Sequence, residues 1–150
     1  MRMVRSLPDS VGVKPQSIGM LVFSTGGGLI SLIAYESGKG DVTATDPVDR
    51  LNGQPNIILM AYAGISGTPK KIPQDAPAAL FVAAKDDRAA HRNMSTLAKR
   101  YEQANLPHKQ LSFEKGGHGF SFGQKSSEKA IQDWPNELVR WMSQTKMPQR

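Results

Sequence analysis

Three short runs of almost unbroken apolar residues constrain this chain most: residues 17–23 (SIGMLVF), 56–61 (NIILMA) and 78–84 (AALFVAA). A strand with one wet face alternates polar and apolar side chains. Unbroken runs of this length instead mark strands covered on both faces, as in a parallel sheet. A fourth run, residues 109–113 (KQLSF), alternates and is short, which suits a sheet edge.

Helical patterns fill the gaps. Leu29, Ile30, Ile33 and Ala34 fall at helical spacing after the first run, and Met94, Leu97, Ala98 and Tyr101 do so between the third and fourth. The second of these helices should stop near Asn105, a common C-terminal cap, because Pro107 follows. A last helix is expected from about Trp134-Pro135, where proline fits a first turn, burying Leu138, Val139 and Met142. Strand and helix in alternation predict an α/β fold of about four parallel strands between helical layers, with right-handed crossovers. Residues 37–54 and 65–76 read as polar loops long enough to be functional or mobile.

The chain has 150 residues, the size of one domain, with 39% hydrophobic and 21% charged residues. Neither disorder nor a membrane protein is indicated, since no run approaches the roughly 18 apolar residues of a spanning helix. The absence of cysteine excludes disulfides, thiol catalysis and thiolate metal sites. The net charge of +6 raises nucleic-acid binding as a class. Its basic residues are dispersed, however, with Lys70-Lys71 and Lys99-Arg100 the densest pairs and no interleaved aromatics, so a basic solvated surface is the reading. Met1–Arg5 carries charge without a following apolar stretch, so no secretory signal is recognised and the compartment stays open.

Chemistry concentrates at the ends of the runs. Ser24-Thr25-Gly26-Gly27-Gly28 closes the first strand and opens a helix. A serine on such a turn projects its hydroxyl from the carboxyl end of the sheet, and the Thr25 N–H at the helix start points where an oxyanion would form. Serine needs a base, itself oriented by a third group. Asp86-Asp87 follows the third run, and His118 lies in a glycine-rich loop after the fourth. All three candidates therefore collect at one rim, where α/β sheets place their ligand and catalytic groups. Singly, each has an ordinary explanation: a turn serine, a helix-capping aspartate, a solvated loop histidine. Their order and common rim favour the catalytic one. His91 and His108 show no partner pattern and read as surface residues. Rival motifs fail on spacing. A dinucleotide loop starting at Gly26 would need glycine where Ser31 stands, and Pro69 precedes Lys70 where a phosphate loop needs glycine. No metal-binding histidine spacing occurs.

At these residues the chain resembles α/β-hydrolase serine esterases related to acetyl xylan and feruloyl esterases. The likeness covers nearly the whole chain. Residues 13–27 (VKPQSIGMLVFSTGG) are similar to the family's elbow around the nucleophile, and residues 75–88 (DAPAALFVAAKDDR) to its acid-bearing segment. Residues 114–120 (EKGGHGF) are similar to its histidine loop, and Trp134-Pro135 to Trp141 to its closing helix. The resemblance implies an α/β-hydrolase fold, represented by its C-terminal portion alone, and ester hydrolysis through an acyl-enzyme. Ser24 is the implied nucleophile, His118 the base, Asp86 the acid and Thr25 the oxyanion donor. No cofactor or metal is implied, and the substrate would be a small ester or an acylated carbohydrate, with no nucleic-acid or membrane partner. A prolyl-oligopeptidase-type peptidase shares the Ser–Asp–His order but usually carries an aromatic where Thr25 stands.

Two departures qualify the likeness. Val22 occupies a position that is usually glycine, and a β-branched residue there would crowd the elbow. The family's upstream strands and second oxyanion loop have no counterpart, so the chain reads as a truncated hydrolase. Its Ser24 strand would keep an unpaired edge open to another chain. An inactive remnant serving in association is the alternative expectation.

Overall fold

The structure, a computed structural model, describes residues 1–7, 9–36, 38–65 and 69–145. Its single sheet contains β1 (Gly19–Phe23), β2 (Ile57–Ala61), β3 (Ala78–Ala84) and β4 (His108–Phe113), all parallel and in chain order. Every residue of β2 and β3 is buried, as their unbroken apolar runs require, whereas β1 and β4 form the edges and are only partly covered. Burying side chains such as Ile58, Met60, Leu80 and Phe81 stabilises the fold by roughly 1.5–3 kcal/mol each.

Four helices complete the architecture: α1 (Arg2–Arg5), α2 (Gly26–Tyr35), α3 (Arg88–Gln103) and α4 (Lys129–Gln144). Register aligns Val22, Met60, Phe81 and Gln110 across one face of the sheet. Both α2 and α3 cover this face. Tyr101 of α3 meets the Phe81 ring edge-on at 5.2 Å, and Gln110 donates to the Ser95 hydroxyl. Leu21, Leu59, Leu80 and Lys109 align on the opposite face, which α4 covers through the Lys109–Glu137 ion pair and the side chains of Leu138 and Met142. The result is a three-layer αβα arrangement. At its foot the buried Arg5 guanidinium donates to the carbonyls of Asn52, Gln54 and Pro15, tying α1 to the segments that enter β1 and β2.

Some boundaries and faces differ from the sequence expectation. The α3 prediction holds: Met94, Leu97, Ala98 and Tyr101 are buried, and Asn105 adopts the left-handed conformation (φ 54°) of a terminating residue. In α4 the helix starts at Lys129, so Pro135 lies inside it rather than at its first turn. The early turn forms because Ile131 is wholly buried there. Burial in α4 falls on Ile131, Trp134 and Trp141, while Val139 is 65% exposed. In α2, Ile30 and Ala34 are buried but Leu29 is 60% exposed. The first polar loop is bonded to itself: Asp46 caps the short 3-10 turn Pro47–Arg50, and Asp41 pairs through its backbone with Asp49. Ser37 in that loop and residues 66–68 in the second lie outside the described residues. Among the described residues no helix is long and apolar enough to cross a membrane, and no group of three His, Asp or Glu side chains is placed to hold a metal ion.

Candidate functional site

Ser24 leaves β1 with a φ of 49°, a left-handed conformation that is strained for a side-chain-bearing residue. Three hydrogen bonds hold it there. Its N–H donates to the Ala61 carbonyl at 3.2 Å, and its own carbonyl accepts from the N–H groups of Gly27 (3.1 Å) and Gly64 (2.8 Å). Two glycines make this turn possible. A Cβ on Gly27 would stand 2.7 Å from the Gly64 oxygen, and one on Gly26 would stand 3.0 Å from the Val22 Cβ. The elbow therefore accommodates Val22 because the side chain it would crowd, at position 26, is absent. Thr25 occupies the N-cap position of α2 without a side-chain capping bond, and its N–H has no hydrogen-bond partner among the described residues, leaving it available next to Ser24.

The loop after β4 brings His118 to the same place. Gly117 (φ 61°) and Gly119 (φ 87°) supply the left-handed turns on either side of it. The imidazole Nε2 lies 2.7 Å from the Ser24 Oγ, and Nδ1 lies 2.5 Å from Oδ2 of Asp87. These partners define the tautomer: Nδ1 carries the proton to the carboxylate and Nε2 accepts from the hydroxyl. Ser24 and His118, far apart in sequence, are thus brought together.

Asp86 is not the residue on the imidazole. Its two oxygens accept the backbone N–H groups of Gly116 (3.1 Å) and Gly117 (2.9 Å), and those bonds hold its carboxyl below the usual aspartate range. Asp87 takes the place expected for Asp86. It is the N-cap of α3, accepting from the Ala90 N–H with Oδ1, and its side chain is only 12% exposed. Adjacent residues at a strand end point in different directions, so one carboxylate turns over the rim and the other outward. The cap position of α3 was the sequence signal that could have separated them.

Sequence reasoning also missed Tyr62. It follows β2 at φ 40°, and its ring packs against His118 (5.0 Å) and Phe120 (4.7 Å). Its hydroxyl, raised in pKa by burial, accepts the Ser121 N–H at 3.1 Å. The signal was a single aromatic directly behind an unbroken apolar run. Trp134 completes the support: its indole N–H donates to the Ser121 carbonyl and its ring stacks on Phe122. The other histidines do have partners. His91 Nε2 lies 2.8 Å from the Ser112 hydroxyl, and His108 Nδ1 lies 2.9 Å from the Leu106 carbonyl.

Two cavities border residues of the site. One of about 730 Å³ lies among Thr25, Ser31, Tyr35, Gly64 and Asn93, and one of about 640 Å³ lies among His118, Phe120, Ser121, Gln124 and Lys125. A hydroxyl hydrogen-bonded to an imidazole that is backed by a carboxylate can lose its proton as it attacks an electrophilic carbon. The half-exposed imidazole, 51% accessible, can pass that proton on to a leaving group or take one from water.

No family model and no curated protein sequence matches the chain. Solved structures do. An acetyl ester-xyloside bifunctional hydrolase from Caldicellulosiruptor lactoaceticus superposes with a TM-score of 0.84 at 21% identity, over 95% of this chain and 62% of its own. MGS-M1, an α/β hydrolase from a Medee basin deep-sea metagenome library, gives 0.74 at 20% identity over 95% and 60%. The thermophilic esterase Est2 from the planctomycete Thermogutta terrifontis gives 0.71 at 17% identity over 95% and 60%. The chain therefore spans about three fifths of the length of these neighbours. Over the part it shares with them, the chain has the α/β-hydrolase fold.

Proposed function

We propose that this chain hydrolyses carboxylic esters, with Ser24 as nucleophile, His118 as general base and Asp87 as the residue orienting it. The observation that carries the reading is the unbroken hydrogen-bond chain from the Ser24 hydroxyl through both nitrogens of His118 to Asp87. As Oγ bonds to the ester carbonyl carbon, its proton moves to Nε2. The carbonyl oxygen becomes an oxyanion beside the Thr25 N–H, and Asp87 stabilises the charged imidazole. Collapse expels the alcohol, which takes the proton from Nε2. Water then attacks the acyl-enzyme by the same route and frees the carboxylic acid.

The likeness to an acetyl ester-xyloside hydrolase supports acetylated carbohydrate as the substrate class. The cavity beside His118, with the hydroxyl and amide groups of Ser121 and Gln124, offers partners for sugar hydroxyls. Hydrolysis of p-nitrophenyl acetate and of acetylated xylan by wild type and Ser24→Ala tests both levels. Loss in the variant is expected, and equal rates would remove the esterase reading.

A second reading, association, has its own observation. Among the described residues β1 pairs with β2 alone, and residues 15–35 between Lys14 and Glu36 hold no charged side chain to guard the free edge. Leu21, at the middle of β1, is exposed. A second copy fits this edge. Antiparallel pairing about a two-fold axis at Leu21 sets Gly19 against Phe23 and brings no like charges together. Sedimentation of wild type and Leu21→Lys checks this: a concentration-dependent dimer abolished by lysine is expected, and a monomer throughout the micromolar range counts against it.

A further inference from the structure

Asp86 makes contacts that the chemistry above leaves unused. It is an exposed carboxylate, yet both its oxygens are engaged by the two peptide groups just before His118. Gly116 also packs closely on Ile131 and Ala84, where a Cβ would stand 2.4 Å and 3.1 Å from their side chains, but Gly117 has nothing within 4 Å of its Cβ position. Gly116 and Gly117 bring no side chains, and glycine loses more conformational freedom on ordering than any other residue. Bonds from backbone N–H groups to an ionised carboxylate are shorter and stronger than neutral ones. Flanking groups steady the same corner, because Lys85 pairs with Glu114 and the Lys85 N–H donates to the Phe113 carbonyl.

We propose that Asp86 is a positioning residue that grips the Gly116 and Gly117 amides and so holds the His118 ring between Ser24 and Asp87. The inference rests on the esterase reading, and it assigns the two adjacent aspartates separate tasks. Asp87 acts on the imidazole directly, whereas Asp86 acts through the loop and touches no reacting atom. Misplacing a catalytic group by about 1 Å costs on the order of 10²-fold in rate.

Asp86→Ala and Asp86→Asn test the assignment against wild type, with Ser24→Ala and Asp87→Asn as references. Asp86→Ala is expected to lower kcat by roughly 10- to 100-fold with KM within about twofold. Its Tm should stay within about 2 °C of wild type, as for an exposed side chain. Asp86→Asn keeps one acceptor oxygen and should fall between the two. Proton NMR of the His118 ring supplies a readout independent of turnover: the Nδ1–H resonance toward Asp87 should broaden in Asp86→Ala. Unchanged turnover with an unchanged His118 resonance would overturn the proposal. So would a loss exceeding that of Asp87→Asn while the resonance stays sharp. Should wild type and Ser24→Ala turn over equally, the esterase reading fails alone, and the ring resonance still decides whether Asp86 positions the loop.

Discussion

Replacing Asp87 with asparagine separates the two tasks its carboxylate performs. Oδ1 accepts the Ala90 N–H at 3.2 Å and caps α3, while Oδ2 accepts from Nδ1 of His118 at 2.5 Å. Asparagine has one oxygen to offer, and the cap, worth about 1 kcal/mol, claims it. The amide nitrogen then faces Nδ1 as a second donor. The imidazole answers by moving its proton to Nε2, which now points a hydrogen at the Ser24 Oγ and cannot accept one. Catalysis through the wrong tautomer is slower by about 10⁴, or roughly 5.5 kcal/mol of barrier. The expected result is therefore a fall of that order in kcat for p-nitrophenyl acetate, with KM and Tm little altered. Asp87→Ala should lose the cap as well, lowering Tm by about 2–4 °C. An Asp87→Asn protein retaining kcat within tenfold of wild type, its Tm intact, would refute the assignment.

Three further outcomes follow from the same contacts. Gly26→Ala places a Cβ about 3.0 Å from the rigid Val22 Cβ, and a crowded site of this kind costs roughly 1–3 kcal/mol. In a Val22→Gly background the clash disappears, so urea denaturation of the four-protein cycle should show a coupling of at least about 1 kcal/mol, and additivity would contradict the packing. Trp134→Ala removes a fully buried ring and the donor to the Ser121 carbonyl; it should cost about 3–5 kcal/mol in urea and depress esterase activity through the histidine loop. Acid stability follows from the carboxyls of Asp86, Asp133 and Glu137, each held low by its bonds: to the Gly117 and Gly116 amides, to Asn136 and Arg140, and to Lys109 and Arg140 respectively. A depressed carboxyl stabilises the fold above its ordinary value and ceases to as pH falls through the depressed one. Tryptophan fluorescence should therefore stay native from neutrality to about pH 4 and change below it, and an onset near pH 6 would contradict this.

The sequence was most informative where one physical demand acted alone. β3 spans Ala78–Ala84 just as its apolar run suggested, because burial on both faces leaves no room for a polar residue. The buried face of α3 was equally plain from its 3.6-residue period. Legibility failed where two demands competed. Pro135 signals a helix start, but burial of Ile131 outweighs it and draws the helix back to Lys129. Leu29 follows the helical period yet is exposed, since α2 is apolar nearly all round and periodicity cannot choose its inner face. At the site, Ser24 and His118 were identifiable from their turns, whereas Asp86 and Asp87 differ by a single residue and a direction. Only the geometry of the α3 cap distinguishes them. Tyr62 was marked only as an aromatic behind an apolar run, because its importance lies in what passes over it.

That passage explains why these residues are needed together. Ser24 lies at the end of β1 and His118 follows β4, the two opposite edges of the sheet. Three interstrand spacings of about 4.8 Å separate them by roughly 14 Å. The loop from Phe113 to His118 bends at Glu114 and Lys115 and turns left-handed at Gly117, and the imidazole spans the remaining distance to the hydroxyl. A glycine-rich segment needs support along its course, and the ends of β3 and β2 provide it. Asp86, at the end of β3, takes the amides of Gly116 and Gly117, and Asp87 beside it takes the ring nitrogen. Tyr62, at the end of β2, lies under the ring and fixes the returning chain at Ser121. The 2.7 Å contact between Ser24 and His118 is thus held by groups at the ends of several strands, and loosening any support along the rim should lengthen it before the fold itself gives way.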